Sequence, residues 1–75
     1  MAKWTEKQMA EVERDFKGAC ASISEDYGNG WTSFLDYVCA ITRVATDILG
    51  AKRDLEPEDC EFVDGLVKTQ INLFD

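Results

Sequence analysis

Apolar residues recur near the start of the chain at spacings of three and four: Met9, Val12, Phe16, Ala19 or Cys20, and Ile23. That period places them on one narrow stripe of a helix, with Glu11, Arg14, Asp15 and Lys17 on the solvated side. Ahead of the stripe, "TEKQ" reads as a capping box, in which Thr5 caps the backbone at Gln8 and Gln8 reaches back. Trp4 and Met9 fall at the two positions of a hydrophobic staple. The pattern predicts a helix over residues 6–25, fading before "YGNG", where two glycines around an asparagine break the period.

In the next periodic stretch Phe34, Val38, Ile41, Ala45 and Ile48 form a central stripe, flanked by Leu35, Tyr37, Val44 and Leu49. About half of that circumference is apolar, so the helix must touch two neighbours. Thr32 and Ser33 both fit as its N-cap, the latter with Asp36 three residues on. The β-branched run "VCAITRVATDI" suits a strand by composition, but it does not alternate, and helical spacing persists over about 18 residues. A helix over residues 32–49 is predicted, ended by Gly50 at C′.

Residues 50–56 form a polar connection in which Lys52 and Arg53 suit the negative end of the second helix. Pro57 fits the first turn of a third, over residues 57–74. Its main stripe is Cys60, Val63, Val67, Ile71 and Phe74, and a second ridge of Phe62, Leu66 and Leu73 lies roughly 100° around. Three segments of similar length predict an all-α fold, a compact antiparallel three-helix bundle, as a single helical domain over residues 1–75.

Charge then narrows the function. Fifteen acidic against eight basic residues give a net charge of −7, and residues 25–75 carry all of it. Direct binding to nucleic acid or to an anionic membrane needs a basic footprint, which is missing. Three cysteines at wide spacing and no histidine argue against a disulfide scaffold or a zinc site, and the cysteines read as small buried apolar residues in a reducing cytoplasm. The charged N-terminal stretch does not read as a signal peptide, so a soluble cytoplasmic protein is expected, in a bacterial cell or in the host cell if phage-encoded.

Catalysis would require a tuned acid, base or nucleophile, and the commonest proton carrier is absent, so no catalytic residue and no cofactor is assigned. "DLEPEDCEFVDG" gathers oxygen ligands but lacks the glycine and glutamate of an EF-hand loop, so no metal is assigned either. A helix-turn-helix reading fails on sign, since the third helix would offer phosphates mostly carboxylates.

The acidic run from Asp54 to Asp64 has two readings. Acids in a first helical turn favour the positive end of the helix, which accounts for Glu56, Glu58 and Asp59 and accounts poorly for Glu61 and Asp64. Alternatively Asp54, Glu58, Glu61 and Asp64, joined by Asp36 and Asp47 from the second helix, present a carboxylate array to a basic surface on another protein. A phage-encoded inhibitor of a nucleic-acid machine, such as an anti-CRISPR or anti-restriction protein, resembles this chain in size and charge.

Apolar candidates for an interface or a homodimer are Phe62, Leu66 and Leu73, and Tyr27 and Trp31 around the turn; each set also fits a place in or over the core. Gly65, unfavourable inside a helix, reads as a point where another backbone comes close. The function expected is therefore a non-enzymatic acidic binding protein that inhibits a nucleic-acid-handling partner through that partner's basic surface. The alternative is a helical accessory or dimerisation module whose acids only confer solubility.

Overall fold

The computed structural model describes residues 4–72. Three helices follow in chain order, α1 (Glu6–Gly28), α2 (Phe34–Lys52) and α3 (Asp59–Asn72), with contacts between every pair. Short connections fold them antiparallel into a body of 41 × 21 × 21 Å.

Local chemistry sets the helix ends. Thr5 Oγ1 accepts from the Gln8 backbone N–H at 3.1 Å, and Gln8 Oε1 accepts from the Thr5 N–H at 3.0 Å, which completes the capping box. Ser33 caps α2 by accepting from the Asp36 N–H at 3.2 Å, so it, and not Thr32, is the N-cap. Helix α1 runs three residues beyond the predicted end because its stop is set by Gly30, whose φ of +79° an L side chain would resist. The Trp31 N–H donates to Asp26 O at 2.9 Å and the Gly30 N–H to Tyr27 O at 3.1 Å, the paired bonds of a Schellman motif.

Gly50 does not end α2, which continues to Lys52 and gives way at Arg53, whose backbone is extended. At the start of α3, the Glu56 N–H donates to Asp59 Oδ2 at 2.9 Å, with Pro57 between them. This is the reciprocal half of a capping box, with Glu56 as N-cap and Asp59 at N3, followed by a tight first turn. Pro57 lies in that turn, and helix α3 begins at Asp59, two residues later than predicted.

The core comprises Val12, Phe16 and Cys20 of α1, Tyr37, Ile41, Ala45 and Leu49 of α2, and Leu66 and Val67 of α3. Two helices are rotated from the predicted faces. On α2 the buried line is Tyr37–Ile41–Ala45–Leu49, while Phe34, read as central, is 53% exposed and its neighbour Leu35 is 70% exposed. On α3 the buried line is Asp59–Leu66–Val67–Gln70, displaced toward the second ridge, and Cys60 is exposed. Leu73 and Phe74 lie outside the described residues.

Two polar clasps explain the rotation of α3. At one end Gln70 Nε2 donates to Ser24 Oγ at 2.8 Å, and Ser24 Oγ lies 3.4 Å from the Tyr37 hydroxyl, so one chain of polar atoms crosses all three helices. At the other end the Asp59 carboxylate accepts from Trp4 Nε1 and Arg53 Nη2, both at 2.9 Å, in addition to the Glu56 N–H. Buried polar groups stay buried only with partners, and both have them. Trp4 is also met edge-on by Phe62 and carries the Arg53 guanidinium 4.3 Å from its ring centroid, a cation–π contact. The tryptophan read as a staple thus ties α1 to α3 and to the connection before it.

The expectation of three buried cysteines holds only for Cys20, whose thiol burial pushes up to about 11. Cys39 and Cys60 are exposed. Among the described residues no helix is long and apolar enough to cross a membrane.

Candidate functional site

The α2–α3 connection concentrates carboxylates for a local reason. Pro57 fixes the helix start, and acids are favoured around it by the exposed N–H groups of the first turn. One of these acids turns inward: Asp59 is 5% exposed and holds Arg53, Trp4 and Glu56. Hydrogen bonds from the Glu56 backbone and the Trp4 indole, with the Arg53 charge beside them, hold its carboxyl below the ordinary value of 3.8, against the opposing effect of burial. Asp59 is a structural carboxylate, and sequence reasoning, which placed it on the solvated first turn, missed this. The only local signal is the three-residue spacing from Glu56 across Pro57; Trp4 lies 55 residues away.

Asp54, Glu58, Glu61 and Asp64 are exposed, as are Asp36 and Asp47. Asp54, Glu58 and Glu61 share the corner where α2 gives way to α3. The cations closest in sequence are engaged elsewhere: Lys52 with Glu11 at 3.3 Å, Arg53 with Asp59, and Lys68 with Asp64 at 3.8 Å. Among the described residues, Asp54, Glu58 and Glu61 have no ion-pair partner. Asp64 and Lys68 are both largely exposed, so that pair contributes little to stability and Asp64 stays open to competition from another cation.

The predicted array is not one patch. Asp36 lies in the first turn of α2 and Asp54 just past its last, which separates them by roughly 25 Å at 1.5 Å per residue. Asp47 stands between, about a turn and a half from the corner. Asp36 instead shares the far end of the molecule with Glu25 and Asp26 of the last turn of α1.

That far end divides the apolar candidates. Tyr27 is half-buried and stacks on Tyr37 with centroids 4.5 Å apart and planes 8° from parallel, so it lids the core. Trp31 is 76% exposed. Phe34, tilted against Tyr27 at 6.1 Å, and Leu35 complete an exposed apolar surface. The sequence reading had assigned both to helix packing; their place in the turn directly after the N-cap was the available signal. Leu66 is in the core and Phe62 packs against Trp4, so these two ridge residues belong to the fold, and Leu73 lies outside the described residues.

Two shallow grooves flank α3. One, of about 390 Å³, lies toward α1 and is lined by Met9, Phe16, Phe62, Gly65 and Leu66 with Glu13, Lys17 and Glu61 among its polar residues. The other, of about 310 Å³, lies toward α2 and is lined by Leu55, Cys60 and Val63 with the acids Glu56, Asp59 and Asp64 and with Thr42 and Thr46, whose hydroxyls donate to carbonyls four residues back. Gly65 was expected to mark a close backbone; a Cβ placed there meets nothing within 4 Å. Gly65→Ala is therefore expected to raise stability by about 0.5–1 kcal/mol, a gain of several degrees in Tm by circular dichroism. A lower Tm would show that α1 and α3 close on that position.

The second groove sets the exposed Cys60 thiol among the carboxylates of Glu56, Asp59 and Asp64, and among the described residues no group of three or more His, Cys, Asp or Glu side chains is placed to hold a metal ion. The architecture is that of an all-α three-helix bundle with an acidic corner at one end and an exposed aromatic surface at the other. No protein-family model, curated protein or solved structure matches the chain.

Proposed function

We propose that this chain is a small, non-enzymatic docking protein that sets its acidic α2–α3 corner on the basic surface of a protein partner. The favoured partner is one that handles nucleic acid, and occupation of its phosphate-binding surface would inhibit it, in the manner of an anti-CRISPR or anti-restriction protein. One observation carries the reading: Asp54, Glu58 and Glu61 stand exposed without an ion pair among the described residues, while the cations nearest them in sequence, Lys52, Arg53 and Lys68, pair with Glu11, Asp59 and Asp64, and Lys17 lines the groove beside Glu61. Carboxylates left without counter-charges steer and orient a basic partner.

Reversing two of them tests it. Glu58→Lys with Glu61→Lys is expected to lower partner affinity by tenfold or more, on the order of 1.4 kcal/mol, while the helical circular dichroism spectrum is kept. Unchanged capture by the folded double variant would reject the corner as the docking site. The second reading, a helical accessory or dimerisation module, would draw on the exposed apolar residues Trp31, Phe34 and Leu35. It predicts the mass of a dimer by sedimentation at micromolar concentration.

A further inference from the structure

The two tryptophans have opposite fates in this fold. Trp4 donates its indole N–H to Asp59, receives Phe62 on its ring and carries Arg53. Trp31 has no such partner among the described residues and is 76% exposed, yet its backbone is fixed by the bond to Asp26 O and by the left-handed Gly30 before it.

The Schellman geometry makes this exposure informative. Trp31 sits at C″, where an apolar residue commonly packs back on C3 or C4 of the helix it follows. Here C3 is Asp26 and C4 is Glu25, so that contact is replaced by two carboxylates. Phe34 and Leu35 extend the apolar surface, and Asp36 adds a third acid beside it. No Lys or Arg occurs anywhere between residues 18 and 42. The one α3 cation among the described residues, Lys68, makes an exposed 3.8 Å pair with Asp64.

We infer that the Trp31–Phe34–Leu35 surface is a second docking site, whose occupant is another protein presenting an apolar pocket edged by Lys or Arg. Charge complementarity selects that occupant. Nucleic acid and anionic lipid surfaces would meet Glu25, Asp26 and Asp36 with like charge. A second copy joined by a two-fold axis through this end would set the same three acids against their own counterparts with no base among them. An aromatic held by a fixed backbone loses little freedom on binding, which suits Trp31 to the role of anchor. This inference stands apart from the acidic corner, since the two surfaces lie at opposite ends of the long axis.

The experiment uses the whole chain in its native cell, with the photo-crosslinker p-benzoylphenylalanine in place of Leu35, and a second preparation with it in place of Glu61. Expected from the Leu35 position is an adduct with a protein other than this chain, mapping to an apolar pocket bordered by Lys or Arg. Trp31→Ala should weaken binding of that purified protein by about thirtyfold or more. Glu25→Lys with Asp26→Lys should weaken it at least about tenfold; both lie at a helix C-terminus, where Lys suits the dipole and the fold is kept. An adduct with a second copy, with nucleic acid or with lipid would overturn the inference. So would the absence of an adduct, or a Trp31→Ala effect within about twofold. Adducts from Glu61 alone would remove this site and leave the corner; adducts from Leu35 alone would do the reverse.

Discussion

Tyr37→Ala is expected to lower Tm by roughly 15–30 °C, because removing a buried aromatic costs about 3–5 kcal/mol and each kcal/mol is worth about 4–8 °C in a domain of this size. Tyr37 is fully buried, its ring stacks on Tyr27, and its hydroxyl lies beside Ser24, which accepts from Gln70. The truncated site loses packing on both α1 and α2 and opens a polar chain to the cavity. With total stability of about 5–15 kcal/mol for ordinary domains, and the low end expected here, much of the variant should be unfolded at 37 °C. Tyr37→Phe keeps the ring and gives up the hydroxyl's 3.4 Å contact with Ser24, so it should retain most of the stability that the Ala variant loses. An Ala variant as stable as the Phe variant would show that the α1–α2 contact is not organised around this ring.

Asp59→Asn should be the most damaging change to any single carboxylate. Asn retains the size but removes the Asp59 charge from the Arg53 guanidinium that lies over the Trp4 ring. The sign of its pH dependence is fixed. The folded carboxyl titrates below its ordinary value of 3.8, so the unfolded chain takes up the proton first as pH falls. The contribution is complete above about pH 5 and is lost as pH drops through 3.8 toward the lower folded value. Melts from pH 7 to pH 2 should show a steep acid loss in the parent and a shallower one in Asp59→Asn. Parallel acid limbs for parent and Asp59→Asn would contradict the clasp.

These two sites also mark where the sequence was legible and where it was not. The capping box at Thr5 and Gln8 is readable because its partners lie within a few residues, and the turn and the third helix start are readable to within two or three residues, since α1 runs on to Gly28 and α3 begins at Asp59, two residues past Pro57. The inward faces of α2 and α3 were displaced because periodicity counts apolar residues only. Asp59 and Gln70 enter the interior by virtue of partners 55 and 46 residues away, and they rotate α3 so that Leu66 faces in and Cys60 faces out. Phe34 looks like the first residue of a buried stripe; it sits where α2 has just emerged from its cap and meets Tyr27 of α1 while staying 53% exposed, and the buried line runs through Tyr37.

The acids were read by type and not by place. Type alone assembled Asp36 with Asp54, although a whole helix separates them, and type alone could not tell Asp59, which holds the fold, from Glu58 and Glu61, which face solvent. The proposed division of labour follows from that sorting: inward carboxylate for stability, outward carboxylates for a basic partner, and an unspent tryptophan at the opposite end.

Capture of partners from the native cell on immobilised protein, repeated across salt, tests the acidic docking surface most directly. Between about 0.1 M and 1 M salt the screening length falls from about 10 Å to 3 Å, which should release a partner held by exposed carboxylates. The account predicts a basic nucleic-acid-binding protein that is retained at the lower salt and eluted at the higher, and that Glu58→Lys with Glu61→Lys fails to retain. A partner that resists salt and ignores that reversal, or retention of this chain alone, would contradict it.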